Sequence, residues 1–162
     1  MIRDARAEDL SKMRGIEAAA GEVFRHVGMA AVADDPPPAL DALAVYQQDG
    51  RAWVATDAAD DPIAYLPLDV VGRFAHIEQV TVHPRYARRG VGRLLIEEAA
   101  RWAGARGLYG LTLTTFEEVP GMPPTTGASV SRRCTNPNGR KASGKSCSPN
   151  AGTVWLSGHV LL

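Results

Sequence analysis

Apolar positions in the first 118 residues switch period several times, and each switch marks an element. Ile2–Ala5 reads as a short strand. Leu10, Met13, Ile16, Ala20, Val23 and Val27 then recur three or four apart and predict a helix over residues 8–27. Asp34-Asp35-Pro36-Pro37-Pro38 is a break, and Pro38–Gln48 reads as a second, short helix stopped at Gly50. Ala52–Thr56 predicts a strand, and Asp60-Asp61-Pro62 has turn chemistry. Ile63–Val71 and Phe74–Val82 predict strands joined near Gly72-Arg73, hence an antiparallel hairpin, with Pro84 ending the second strand. Gly90–Arg106 is the strongest helix pattern. Val91, Leu94, Leu95, Ala99, Trp102 and Ala103 fall on one face, and Gly107 is placed as its stop. Leu108–Phe116 predicts the last strand. The order βααβββαβ indicates an α/β layer fold, antiparallel until a helix crossover joins two neighbouring strands.

Composition separates the rest of the chain from this pattern. All 18 acidic residues lie in 1–118 with 13 of the 18 basic ones, a net charge of −5, whereas 119–162 holds no acid and five bases. Gly, Pro, Ser and Thr fill 21 of those last 44 positions, and Trp155 is the only aromatic. Such a segment buries too little apolar surface to offset its ordering entropy. The expected organisation is a domain over 1–118 and a disordered tail over 119–162. The whole chain, at 162 residues and net charge zero, lacks the basic footprint of a nucleic-acid binder. No apolar run approaches a membrane span, and Met1-Ile2-Arg3-Asp4 does not open a signal peptide, so the expected location is cytoplasmic.

The chemistry concentrates in Ile77-Glu78-Gln79-Val80-Thr81-Val82-His83-Pro84-Arg85-Tyr86-Ala87-Arg88-Arg89-Gly90-Val91-Gly92-Arg93. A strand enters a turn with two arginines and two close glycines, and the turn opens an amphipathic helix. The first N–H groups of a helix lack internal partners and attract negative charge. Arg88 and Arg89 are unfavourable there unless an anion joins them, and Gly90 and Gly92 leave the backbone bare for one. The segment reads as a phosphate or pyrophosphate cradle; the competing reading is a solvated basic loop. A Walker loop is excluded because Gly-Lys-Ser/Thr is absent. The dinucleotide fingerprint is excluded because Leu95 stands where its third glycine or alanine belongs.

These residues resemble the GNAT superfamily of acetyl-CoA-dependent N-acetyltransferases. Its signature, Gln/Arg-x-x-Gly-x-Gly/Ala at a helix start after a strand ending near proline, is matched by Arg88-Arg89-Gly90-Val91-Gly92-Arg93 behind Val80-Thr81-Val82-His83-Pro84. Ala87 departs from it, where the family often has Gln or Arg. The resemblance implies a mixed, mostly antiparallel sheet flanked by helices, with acetyl-CoA as co-substrate in a gap where the strands at 74–82 and 108–116 splay apart. Backbone groups of Val80, Thr81 and Val82 would bond the pantetheine arm and the acetyl carbonyl. The N–H groups of Arg88, Arg89, Gly90, Val91, Gly92 and Arg93 would hold the pyrophosphate. No metal is expected: His83 and His159 have no matched partners, and Cys134 and Cys147 have no ligand spacing.

Acetyl transfer needs an unprotonated amine, a polarised carbonyl and a protonated leaving thiolate. Glu78 is the candidate base, since strand alternation puts it on one face with His76, Val80 and Val82; a half-exposed carboxylate balanced by an arginine is the other reading. His76 is a candidate assistant. Glu17, Arg25 and His26 lie on the first long helix, which lines the acceptor site in the family, and are equally well explained as a solvated face. The implied function is N-acetylation of a primary amine, on a small molecule or a peptide. The alternatives are a catalytically weak acyl-CoA-binding remnant, or a module whose basic turn binds another anion.

The tail departs from the family, which closes with an Asn, a Tyr-bearing helix and strands around a Gly-Phe pair. Residues 119–162 contain no Tyr and no Phe. One base restored after the codon for Pro120 lets the following codons read Trp-Asn-Ala-Pro-Tyr-Tyr-Gly-Arg-Phe-Gly-Phe, the family's ending. The segment from about Gly121 therefore reads as an out-of-frame translation, the alternative being a natural Gly/Pro/Ser-rich tail. In either case the closing strands are missing from the sequence.

Overall fold

The two central strands are apolar on both faces. β2 (Ala52–Thr56) is buried at every position, and β3 (Pro62–Val71) is buried from Ala64 to Leu68. A strand buried on both sides requires a layer over each. The computed structural model describes residues 1–26 and 36–113 and supplies both layers. Over one face lie α1 (Leu10–His26), entered through a 3₁₀ turn at Ala7–Asp9, and α2 (Leu40–Gln48). Met13, Ile16 and Leu43 pack there on Val54 and Tyr65. Over the other lies α3 (Val91–Ala105), whose Leu95, Ala99 and Ala103 pack on Trp53, Leu66 and Leu68. Trp102 of α3 meets Trp53 edge-on at 5.8 Å, and the Arg106 guanidinium covers Trp102 at 3.9 Å.

β1 (Ile2–Asp4), β2, β3, β4 (Phe74–Ile77) and β6 (Leu111–Leu113) lie in that order across the sheet, and β5 (Thr81–Val82) pairs with β3 off this path. Every pairing is antiparallel except β4 with β6, which α3 joins by a crossover. This is the mixed, mostly antiparallel sheet flanked by helices that the sequence implied.

The single strand expected over Phe74–Val82 is instead two. Ile77 stands opposite Leu68, and Val82 stands opposite Ala64. Five steps along one strand thus face four along its partner. One residue is inserted between β4 and β5, a bulge that reverses which side chains point to which face. Ala75 and Ile77 face α3, and so do Val80 and Val82. The Glu78 N–H donates to the Pro67 carbonyl at 3.2 Å across the irregular stretch.

Other differences are at element margins. Leu94 is 51% exposed and Val23 is 39% exposed, because both sit at the edge of their apolar stripe. β6 is described only to Leu113. Val27, the remainder of the expected last strand, the boundary at 118 and the tail lie outside the described residues. Among those described, no helix is long and apolar enough to cross a membrane.

The N-terminal strand is clamped by charge. Arg3 donates to both Asp9 oxygens, at 2.6 and 3.1 Å, and to Asp60 Oδ1 at 2.9 Å. The Arg6 N–H also donates to Asp9 Oδ2 at 2.7 Å. Burial pushes the Asp9 carboxyl up, but the Arg3 hydrogen bonds and charge outweigh it and hold the group below the usual carboxylate range. A depressed folded-state pKa adds stability at pH values above the unfolded-state pKa and loses it as pH falls through the folded value. Asp9→Asn should therefore cost about 2–4 kcal/mol at neutral pH, since it strands a mostly buried Arg3. It should also remove part of the acid sensitivity of the parent chain. Urea unfolding of both chains between neutral and strongly acid pH checks this.

Candidate functional site

Gly90 closes the turn before α3 with φ 75°, the left-handed region, and has no side chain with which to cap the helix. The backbone N–H groups of residues 88–93 donate to no acceptor among the described residues. Arg88 holds φ 61°, a conformation that costs a residue with a Cβ on the order of 1–2 kcal/mol. Strain of that kind gathers at ligand clamps. The charges separate in role. Arg89 lies over the Tyr86 ring at 5.4 Å, and Arg93 pairs with Glu97 at 2.8 Å. Arg88 makes no ion pair or hydrogen bond among the described residues. Gly92 is buried against the sheet, so the helix start is held in place by packing. The 3₁₀ turn Pro84–Tyr86 leads in, with His83 Nδ1 accepting from the Arg85 N–H at 3.2 Å.

Upstream, β5 pairs through one edge with β3, and no described residue pairs with its other edge. β6 accompanies β4 over Ala75–Ile77. Val80, Thr81 and Val82 therefore follow the bulge, on the edge that leads directly into the helix start.

The bulge corrects the expected placement of Glu78. It does not share a face with Val80 and Val82, whose side chains are buried against α3. His76 is paired with Asp69 and Thr81 with Tyr65, so both stand on the face under α1 and α2. Glu78 is half-buried within the electrostatic reach of His76, Asp69, Arg51 and Tyr46. Burial pushes its carboxyl up; the His76 charge opposes this, Asp69 adds to it, Arg51 opposes it, and the net direction is upward. A carboxyl raised in this way is a better proton acceptor near neutrality. Arg51 is itself fixed by Asp49 and Asp69, each at 2.6 Å. His76 Nδ1 lies 2.9 Å from Thr112 Oγ1 of β6, so it is tied to the neighbouring strand.

Sequence reasoning passed over Tyr65 and Gln79. Both are buried, and both meet Glu17: the Tyr65 hydroxyl donates to Glu17 Oε2 at 3.0 Å, and the Gln79 amide donates to the same oxygen. The readable signal is in the run Ala75-His76-Ile77-Glu78-Gln79-Val80-Thr81-Val82. Two adjacent polar residues shift the apolar phase from odd to even positions, which marks the bulge and turns Gln79 inward. Of the first helix's candidates, Glu17 joins this cluster, and Arg25 lies 3.5 Å from Glu22. No group of three or more His, Cys, Asp or Glu suited to a metal occurs among the described residues. His159, Cys134 and Cys147 lie outside them.

A splayed sheet edge feeding an uncapped glycine-rich helix start is the layout of acyl-CoA transferases, and comparison with known proteins agrees. The pattern of the Acetyltransferase (GNAT) family matches residues 17–121, and the chain belongs to that family of N-acetyltransferase enzymes. The fold is similar to the ribosomal-protein-S18-alanine N-acetyltransferase from Escherichia coli, with TM-score 0.53 and 24% identity over 70% of this chain and 64% of that one. It is also similar to the PaiA N-acetyltransferase from Thermoplasma acidophilum in complex with coenzyme A (TM-score 0.59, 17% identity, 70% and 77% covered). A third likeness is to Rv2747 from Mycobacterium tuberculosis in complex with CoA (TM-score 0.57, 21% identity, 72% and 65% covered). The chain thus spans less than two thirds of the length of the first and third of these structures.

A Cβ added at Gly90 meets nothing within 4 Å, so substitution there is opposed by φ alone. Gly90→Val should remain folded and lose about 1–2 kcal/mol of stability, the cost of a left-handed residue with a Cβ. Thermal unfolding of the variant against the parent measures it.

Proposed function

We propose that the chain transfers the acetyl group of acetyl-CoA to a primary amine, on a small molecule or a peptide. The observation that carries this reading is the continuous run from Thr81 to Arg93, an unpartnered strand edge leading into a helix start whose N–H groups have no acceptor. Two structures of similar fold hold CoA, which supports the same reading.

Acetyl-CoA supplies the acyl group as an activated thioester. Main-chain groups of Val80, Thr81 and Val82 receive its pantetheine arm as an added strand is received at a sheet edge. The N–H groups of Arg88, Arg89, Gly90, Val91, Gly92 and Arg93, with the free Arg88 charge, hold the pyrophosphate. Because these contacts are mainly to backbone, α3 acts as a packed support and carries no catalytic side chain. Glu78 takes a proton from the acceptor's ammonium group, directly or through water. The neutral amine then attacks the thioester carbon, the N–C bond forms, the C–S bond breaks, and the thiolate leaves and is protonated. Residues 1–118 form the catalytic unit in this reading, working without a metal in the cytoplasm.

Glu78→Gln tests the assignment of the base. Acetyl-CoA affinity should stay nearly unchanged while transfer slows by roughly 10²–10⁴-fold, the range for a positioned base. Because burial raises the Glu78 carboxyl, the acid limb of kcat/KM in the parent should fall at a pH above the ordinary carboxylate value of about 4.3. The variant should lack that limb, and its deficit should shrink at high pH, where the amine is already neutral. A variant as fast as the parent would reduce Glu78 to an ordinary strand carboxylate. Failure of the parent to bind acetyl-CoA would overturn the reading as a whole.

A further inference from the structure

The cluster around Glu17 has no part in the chemistry above. Glu17 stands half-buried on α1, and its Oε2 accepts from Tyr65 Oη at 3.0 Å, from Thr81 Oγ1 at 2.8 Å and from the Gln79 amide. Gln79 also donates to Thr81 Oγ1 at 2.8 Å, and Tyr65, Gln79 and Thr81 are all buried. Burial and the Glu17 charge push the Tyr65 hydroxyl well up from its ordinary value, so it stays a donor. Three donors from β3, the bulge and β5 therefore fix one carboxylate oxygen. The second, Oε1, makes no hydrogen bond among the described residues.

A countercharge is also missing. Asp9 has Arg3 on both of its oxygens, and Asp69 has Arg51. No Lys or Arg among the described residues pairs with Glu17; Lys12, five residues earlier, goes to Asp61. A half-buried carboxylate with rigid positioning and no cation is completed by a cation from outside. Its anchor Thr81 is one of the residues to which the acyl chain was assigned above, so the free oxygen belongs to the same locality as the thioester.

We propose that Glu17 is the acceptor-binding residue: Oε1 receives the ammonium group of the incoming amine, and Tyr65, Gln79 and Thr81 act as positioning residues that aim it. This rests on the acetyl-transfer reading and deepens it, because it defines the acceptor class as amines that arrive charged. The two carboxylates divide the work. Glu17 docks the ammonium, and Glu78 removes its proton.

The test compares Glu17→Gln with the parent on n-butylamine, a cation at neutral pH, and on aniline, which is uncharged there. KM for n-butylamine should rise about 10- to 100-fold, the value of one charge-assisted hydrogen bond, while KM for acetyl-CoA and for aniline stays put. An equal rise for both amines would make Glu17 a mere brace for the strand. No rise for either would make it idle, and both outcomes overturn the proposal. A second measurement needs neither a folded variant nor turnover. The parent chain is titrated with n-butylammonium and with 1-butanol while amide signals of Tyr65 and Thr81 are followed by NMR. Binding of the ammonium and not the alcohol is expected, and equal or absent binding overturns the site. A chain that holds n-butylammonium but does not bind acetyl-CoA would sink the acetyl-transfer reading and leave the ammonium site standing.

Discussion

One inserted residue between Ile77 and Val82 sets the geometry on which the remainder of the candidate site depends. With four steps matching four, the strand would keep one pairing pattern throughout, and Gln79 would share a face with Ala75 and Ile77. With five against four, Gln79 and Thr81 turn toward α1, while Val80 and Val82 take up the packing against α3. The core loses little by this, since two apolar side chains are replaced by two others. The polar layer gains two donors opposite Glu17. A bulge in a sheet is often the means of re-aiming a side chain beside a site, and here it serves both faces at once.

Three carboxylates on the α1–α2 side show how environment separates groups of the same chemistry. Asp9 has a bidentate arginine and is held in its charged form, as part of the framework. Glu78 is partly desolvated, with Arg51 already occupied by two aspartates, and its proton is correspondingly easier to keep. Glu17 has neutral donors and no cation. Framework, proton acceptor and docking group are thus distinguished by their partners, with helix and strand serving only to bring each to its place.

The parts of this arrangement that were legible in sequence are local. Gly90 and Gly92 with the arginines before them announce a helix start because the unpaired N–H groups belong to that segment alone. The hairpin at Gly72-Arg73 and the stripe Leu95, Ala99, Ala103 are legible for the same reason. The bulge was harder to see, because alternation from Phe74 to Val82 fits a straight strand almost as well, and only the adjacent pair Glu78-Gln79 shifts the phase. Leu94 was assigned to the buried face because a helical stripe has soft margins, and the sheet decides where they fall. Glu17 could not be told from Arg25 without knowing that Tyr65 lies opposite, a fact of register between elements 48 residues apart.

The packing of Trp102 on Trp53 has an optical consequence. The two indoles lie 5.8 Å apart at 77° to each other, one on α3 and the other on β2, with the Arg106 guanidinium against the first. They sit near the C-terminal end of the helix whose other end opens the cradle. A helix is stiff over its length of about 22 Å, so a slide or tilt of α3 at its first turn moves Trp102 against a stationary Trp53. The emission of this pair is thereby a built-in gauge of how firmly the helix is seated, readable without any label.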